Sequence, residues 1–421
     1  MEHEKLPSHS PLREDDVRSE SAYAHRFGDW SSMQYLVKFG KDGSTRSQTF
    51  YNGDSVSTRM DAVREAIIYV RENWADYPSL MADLRAYIHE LTAAGSESGT
   101  ADTTPYLPTV LSSRRAWRSQ PTSHHAFLPD DESEDLSVIR LYTSKVGYDQ
   151  IFRVINQAFR TDELTEAEQR KRLRSAVFLV ELLNIDLFNY TYREPQAQNF
   201  HGTVYRGVVF SDAQLEDFKN LAARPVAERF WAIPLAMMSA STDKNVALRE
   251  FASVPPSNSG SATDETGPRH PFLWRIHVIG LHAEYLRIYH ERFPTSVVSS
   301  ICAVPIRQLS DFAGEDEVLL RGPFFQLIGI REEAVELEPG REQRIYVMEL
   351  VMLNVNRDHP STMQLGEEKG EQARKLFGCL VGMWRAEVCK QLAAMYGLEG
   401  DVEQYNEIHR GEYAKFMKIF Q

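Results

Sequence analysis

Apolar positions recur along this chain with two different periods, and the switches between them mark out its organisation. Residues 1 to about 30 are rich in Ser, Glu, Asp and Arg, follow neither period, and read as disordered. Met33 to Phe39 and Thr45 to Tyr51 alternate as two strands around the turn Gly40-Lys41-Asp42-Gly43. Helical spacing follows from Thr58 to Trp74, with Ala62, Ala66, Ile67 and Val70 on one face, and again from Ser79 to Leu91. The span 33–92 therefore reads as a small α/β module. From 93 to 134 the composition turns to Ser, Thr, Pro, Gly and charge, as in a linker. Order resumes at Val138–Thr143, and a helix is predicted from Gly147 to Arg160. Thr165 and Glu168 have capping-box spacing, and the helix they open carries Leu173, Val177, Val180 and Leu183 towards Phe188.

At Gly202 the period drops from helical to alternating. Strands are predicted at 203–210, 235–240, 272–279, 298–304, 317–320, 324–330 and 345–353, interrupted by a helix from Asp212 to Leu221 and a shorter one after Ser241. The chain is helical again from 360 to 421, where Leu376, Leu380, Met383, Val388 and Leu392 form one apolar stripe and Tyr405, Ile408, Tyr413, Phe416 and Ile419 another. A helical lobe followed by a strand-rich lobe is an α+β arrangement.

Composition narrows the functional classes. The 421 residues carry a formal net charge of −13, and no basic stripe interleaved with aromatics is visible, which argues against a nucleic-acid partner. The one basic cluster, Arg170-Lys171-Arg172-Leu173-Arg174, reads as an exposed helix face. Three cysteines, Cys302, Cys379 and Cys389, lack metal-ligand spacing and fit a reducing compartment, so no metal is expected. The polar start MEHEKLPSHSPLREDD does not read as a signal peptide, and no stretch is apolar enough to span a bilayer. A soluble, intracellular protein without membrane contact is the expectation.

Three motifs carry candidate chemistry. Val204-Tyr205-Arg206-Gly207-Val208 places an arginine inside an apolar strand, which suits either a phosphate or a carboxylate partner. Met238-Ser239-Ala240-Ser241-Thr242-Asp243 is a strand end leading into a helix; capping explains Ser241, Thr242 or Asp243 but not Ser239, which precedes the turn. Gly314-Glu315-Asp316-Glu317-Val318-Leu319 sets two glutamates one residue apart at a strand start. In an extended chain both would point to one face with Asp316 turned away; on its own the run also suits a solvated turn.

Arginine, serine and paired glutamates, in that order and each at a strand edge, resemble the Arg–Ser–Glu group of mono-ADP-ribosyltransferases. The resemblance covers about Val138 to Asp358 and sets a catalytic domain at 136–358. Its Ser-Thr-Ser strand end matches Ser239-Ala240-Ser241, its following helix Lys244 to Phe251, and its Glu-x-Glu-Val-Leu strand Glu315 to Leu319, with Phe312 in the preceding loop. Leu141-Tyr142-Thr143 and Ile155-Asn156 with Arg160 resemble its helical-lobe signature. The chain departs at Ala240 and in an insertion over 253–271, where Arg269 is a candidate loop arginine.

The resemblance implies a fold with an N-terminal helical lobe and two packed, mainly antiparallel sheets around an NAD cleft. It implies NAD as substrate, with NADP left open, and transfer of one ADP-ribose to arginine side chains of a protein partner. Glu317 would steady the ribose cation, Ser239 would orient Glu317, and Glu315 would take the proton of the incoming guanidinium. Arg206 would hold the pyrophosphate and Asn156 and Arg160 the adenosine side, with Gly207, Tyr142, Ser241 and Phe251 completing the NAD-contacting set. The loop from Val304 to Gly314 would meet the target, with Phe312 as an anchor. An NAD glycohydrolase, or an inactive module that binds NAD or a partner, would use the same residues.

Overall fold

The computed structural model describes residues 77–94, 137–144, 167–194, 200–232, 237–248, 269–294, 302–311, 313–321, 324–338, 341–353 and 367–420, with isolated positions between 62 and 76 and at 155, 158 and 197. The strands expected at 33–39 and 45–51, the expected linker, and Asn156, Arg160, Phe251 and Phe312 lie outside the described residues.

The helical lobe holds α1 (Tyr77–Ala94), α2 (Ser137–Tyr142) and α3 (Ala167–Arg193). Along α3, Leu173, Ala176, Val177, Val180, Leu183 and Leu187 recur three and four residues apart and are all buried, the spacing that turns one face of a helix to a core. That core also takes Leu80, Leu84 and Ile88 of α1, so the helix expected at 79–91 packs into the lobe. The basic cluster at the start of α3 faces acids of its neighbour: Lys171 lies 3.1 Å from Asp83 and Arg172 pairs with Glu90. Helix α2 is only six residues long, too short to be stable by itself. Its first turn is held by the buried Asp186 of α3, whose Oδ2 accepts from the N–H groups of Val138 and Ile139 at 2.9 and 3.0 Å, a capping role supplied from a distant element.

The strands are β1 (Gly202–Ser211), β2 (Phe230–Ala232), β3 (Met237–Ser241), β4 (Arg269–Ile279), β5 (Ala303–Pro305), β6 (Glu317–Arg321), β7 (Phe324–Glu338) and β8 (Arg341–Leu353), with α4 (Asp212–Ala222), α5 (Lys244–Val246) and α6 (Ala283–Arg292) between them. Ser211 and Gln214 form a reciprocal capping box that turns β1 directly into α4. Two elements escaped the sequence reading. Strand β2 is three residues long, too brief to show alternation, and the apolar stripe of α6 is carried by Tyr285, Ile288 and Tyr289 within a highly charged run.

The expectation of two sheets needs correction. All eight strands are hydrogen-bonded in the order β2-β7-β8-β4-β1-β3-β6-β5, antiparallel except for β4 against β8. The reason is one link: β1 and β3 share the single register pair Tyr205↔Ser241. That pair joins a short β3-β6-β5 portion to the long strands. Residues of both portions, Met238, Val318 and Leu320 with Phe272, Trp274, Phe325 and Leu350, share one core. The alternate residues Met237, Leu319 and Val304 pack instead into the core of the helical lobe. The short strands are thus covered on both faces, and every residue of β6 is buried.

Helices α7 (Glu367–Met395) and α8 (Glu399–Phe420) close the long strands from the other side. Gly397, at φ 70°, ends α7: Leu398 N–H donates to Ala393 O and Gly397 N–H to Ala394 O, the two bonds of a Schellman turn that needs a left-handed residue. Cys389, Leu392 and Tyr405 then pack on Ile279, Ile328 and Val351. Arg229, between α4 and β2, meets Asp401 of α8 with both terminal nitrogens, at 2.7 and 3.2 Å, inside this contact. Among the described residues no helix is long and apolar enough to cross a membrane.

Candidate active site

Sheet order brings the three motifs side by side, because β1, β3 and β6 are consecutive neighbours. Ser241 is opposite Glu317 and Ser239 is opposite Leu319. In an antiparallel pair, opposite residues share a face and diagonal ones remain within reach of long side chains. Ser239 is the diagonal neighbour of Glu317, and its hydroxyl donates to Glu317 Oε1 at 2.5 Å. Arg206 reaches across from β1 and donates through Nη1 to the carbonyl of Ser239 at 2.5 Å. Arg206, Ser239 and Glu317 therefore form one connected group.

Glu317 is the only acid of the Glu-x-Glu run inside the strand, and only 6% of it is exposed. Its second oxygen, Oε2, accepts from Ser310 Oγ at 2.9 Å. Burial pushes its carboxyl above the ordinary carboxylate range, while the hydroxyls of Ser239 and Ser310 and the charge of Arg206 pull it back only in part. The outcome is a carboxylate with both oxygens held, in a place where water screens its charge poorly.

The geometry of Glu315 differs from the extended reading. Ala313–Glu315 is a 3-10 turn, and Asp316 has φ 45°, in the left-handed region. Glu315 and Glu317 are thus not successive same-face residues of one strand. The turn brings Glu315 up to the strand start, half-exposed. Three bonds fix it: Ser241 Oγ donates to Glu315 O, Thr242 N–H to Asp316 O at 3.2 Å, and Ile306 N–H to Glu317 O at 2.9 Å. Asp316 itself points to Arg307, 3.0 Å away and exposed.

Two residues of the expected NAD-contacting set make hydrogen bonds within the fold. The hydroxyl of the buried Ser241 is engaged by the turn, donating to Glu315 O and accepting from Asp243 N–H at 2.9 Å. Tyr142 is buried in the lobe core, and its hydroxyl donates to Met237 O at 3.1 Å; both therefore brace β3 and its turn. Gly207 is buried in β1 opposite Leu273. Arg269 begins β4.

Sequence reasoning missed Ser310 and the role of Thr143. Ser310 lies in the loop before the glutamates, where no period distinguishes it from any other loop serine. The buried Thr143 meets that loop twice: its hydroxyl lies 3.1 Å from Leu309 O, and its carbonyl accepts from Asp311 N–H at 3.2 Å. Among the described residues, no group of three or more His, Cys, Asp or Glu is gathered as metal ligands would be.

No family model matches this chain, and no curated protein matches it. Among solved structures it is similar to Vis toxin, an ADP-ribosyltransferase from Vibrio Splendidus, at 13% identity and a TM-score of 0.30, over 60% of this chain and 88% of that one. A structure of ADP-ribosyltransferase Vis in complex with agmatine matches at 12% identity and a TM-score of 0.26, over 80% and 89%. These likenesses are distant.

Proposed function

We propose that this protein transfers a single ADP-ribose from NAD to arginine side chains of target proteins, releasing nicotinamide. The observation that supports this best is the buried Glu317 carboxylate, held at one oxygen by Ser239 and at the other by Ser310, with Arg206 on the adjoining strand. Breaking the ribose–nicotinamide bond leaves positive charge on the ribose, as in glycoside hydrolysis. A fixed negative charge in a poorly screened site stabilises that cation without having to reorganise as it forms. Arg206 suits the pyrophosphate, since its planar fork matches phosphate oxygens.

Glu315 supplies the acceptor side of the reading. A guanidinium stays protonated at neutral pH and attacks poorly until a proton leaves. A half-exposed carboxylate on a braced turn next to Glu317 can bind the incoming fork and take that proton as the new carbon–nitrogen bond forms. The two acids then have separate duties in separate settings.

The test supplies labelled NAD with and without agmatine, an arginine mimic. Wild type is expected to label agmatine, Glu317→Ala to lose both transfer and NAD hydrolysis, and Glu315→Gln to lose transfer while retaining hydrolysis. Free ADP-ribose as the sole product would make the protein a glycohydrolase, and NAD binding without turnover an inactive module. Equal loss of both activities in Glu315→Gln would defeat the division of labour.

A further inference from the structure

We infer that Ser310 is a second positioning residue for Glu317, and that Thr143 of the helical lobe sets the loop that presents it; this rests on the proposed role of Glu317. The terminal torsion of a glutamate is broad and nearly two-fold. One donor on one oxygen leaves the carboxylate able to rock about that contact. Here the second donor is on the other oxygen and comes from a different element: Ser239 from β3 to Oε1, Ser310 from the loop before β6 to Oε2. With both held, the carboxylate plane has one orientation.

The Ser310 loop is built to hold that position. It is tied at its start by Ile306 N–H to Glu317 O, at 2.9 Å. It turns on Ile306 O, which accepts from Leu309 N–H at 2.8 Å and Ser310 N–H at 3.2 Å. Beyond the turn Asp311 N–H donates to Thr143 O at 3.2 Å, and Leu309 O lies 3.1 Å from the Thr143 hydroxyl, whose one proton it shares with Ile139 O at 3.0 Å. Thr143 follows α2, whose own first turn is fixed by Asp186 of α3. A chain of hydrogen bonds thus runs from the core helix of the lobe to one oxygen of Glu317.

The experiment compares full-length wild type with Ser310→Ala, Ser310→Thr and Thr143→Val, measuring nicotinamide release from NAD as kcat and KM across the acid limb of the pH profile. In parallel, the carboxyl infrared band absent from Glu317→Gln is titrated in each protein. Ser310→Ala is expected to lower kcat roughly tenfold to a hundredfold, the range for one hydrogen bond to a charged group, with KM changed by less than about threefold for want of direct contact with substrate. Its acid limb and its infrared titration should both move to higher pH, because a donor to the ionised form is gone. Ser310→Thr should restore both, and Thr143→Val should move them in the same direction as Ser310→Ala by a smaller amount. If wild type releases nicotinamide and Ser310→Ala leaves kcat and both titrations unchanged, the inference about Ser310 is wrong and the function stands. If wild type releases none, the proposed function fails; a titration shift in Ser310→Ala would then make the contact structural, overturning its catalytic sense.

Discussion

Asp316 gives the sharpest test of how the two glutamates are held. Its side chain has no part in the proposed chemistry, yet its backbone sits at φ 45° between the acids. For an L-residue the left-handed region costs about 1–2 kcal/mol, less for Asp and Asn, which can bond locally, and nothing comparable for Gly. Asp316→Val puts a β-branched residue there and has two ways to respond. The turn can relax to negative φ and give up the bonds at Glu315 O, Asp316 O and Glu317 O. Three such bonds at about 0.5–1.5 kcal/mol each total about 1.5–4.5 kcal/mol. The centre of that range, about 3 kcal/mol, exceeds the strain, so the turn should keep its shape and the cost should appear as lost stability. The Arg307 ion pair is exposed on both sides and contributes at most about 1 kcal/mol; Asp316→Asn removes it while retaining the left-handed preference. Denaturant unfolding of the Asn, Gly and Val variants separates these effects. Asn and Gly should fall within about 1 kcal/mol of wild type, and Val about 1–2 kcal/mol below Asn. All three should keep the wild-type ratio of agmatine transfer to NAD hydrolysis. A Val variant as stable as Asn would show that the positive φ does not matter, and a Val variant that loses transfer selectively would show that the turn relaxes.

Two further outcomes follow from buried charge. Glu317→Gln should abolish turnover yet unfold at a higher temperature than wild type at neutral pH: the raised folded-state carboxyl binds its proton more tightly than the unfolded chain does, so wild type loses stability as pH rises through that interval. Melting both proteins from acid to neutral pH checks it, and the gap should close below the ordinary carboxylate range. Asp401→Ala should cost about 3–5 kcal/mol in denaturant unfolding, since it takes the carboxylate from the buried Arg229 guanidinium and leaves it the carbonyls of Arg224 and Ile328, and Arg229→Met combined with Asp401→Leu should recover most of the loss.

What was legible in the sequence was what local periodicity encodes. The run of apolar residues from Leu173 to Leu187 has helical spacing because one face of α3 is buried, and the order of strands from β3 onwards shows in alternation and turn residues. Ser239 stood out because it precedes the turn and capping cannot explain it. The sheet count was not legible, because it depends on whether β1 and β3 make one backbone pair or none, a matter of tertiary fit that no side-chain pattern records. Ser241 and Tyr142 carry residue types that suit either ligand contact or structural bracing, and the sequence does not show the bracing bonds they make to Glu315 O and Met237 O.

In the Glu-x-Glu run the expected and the observed local geometry differ. Alternation along an extended strand would place both acids on one face, where two adjacent negative charges raise each other's proton affinity. The 3-10 turn and left-handed Asp316 instead put Glu317 in the buried ladder and Glu315 at the half-exposed rim. Burial raises the Glu317 carboxyl above the ordinary carboxylate range, while Glu315 stays within reach of solvent, and one backbone torsion sets the two acids in these different surroundings. Ser239 and Ser310 meet the two carboxylate oxygens of Glu317, while Ser241 holds Glu315 by its backbone carbonyl. The group that would face the ribose is thus clamped at both oxygens, and the backbone that carries the one for an arginine acceptor is fixed by the turn.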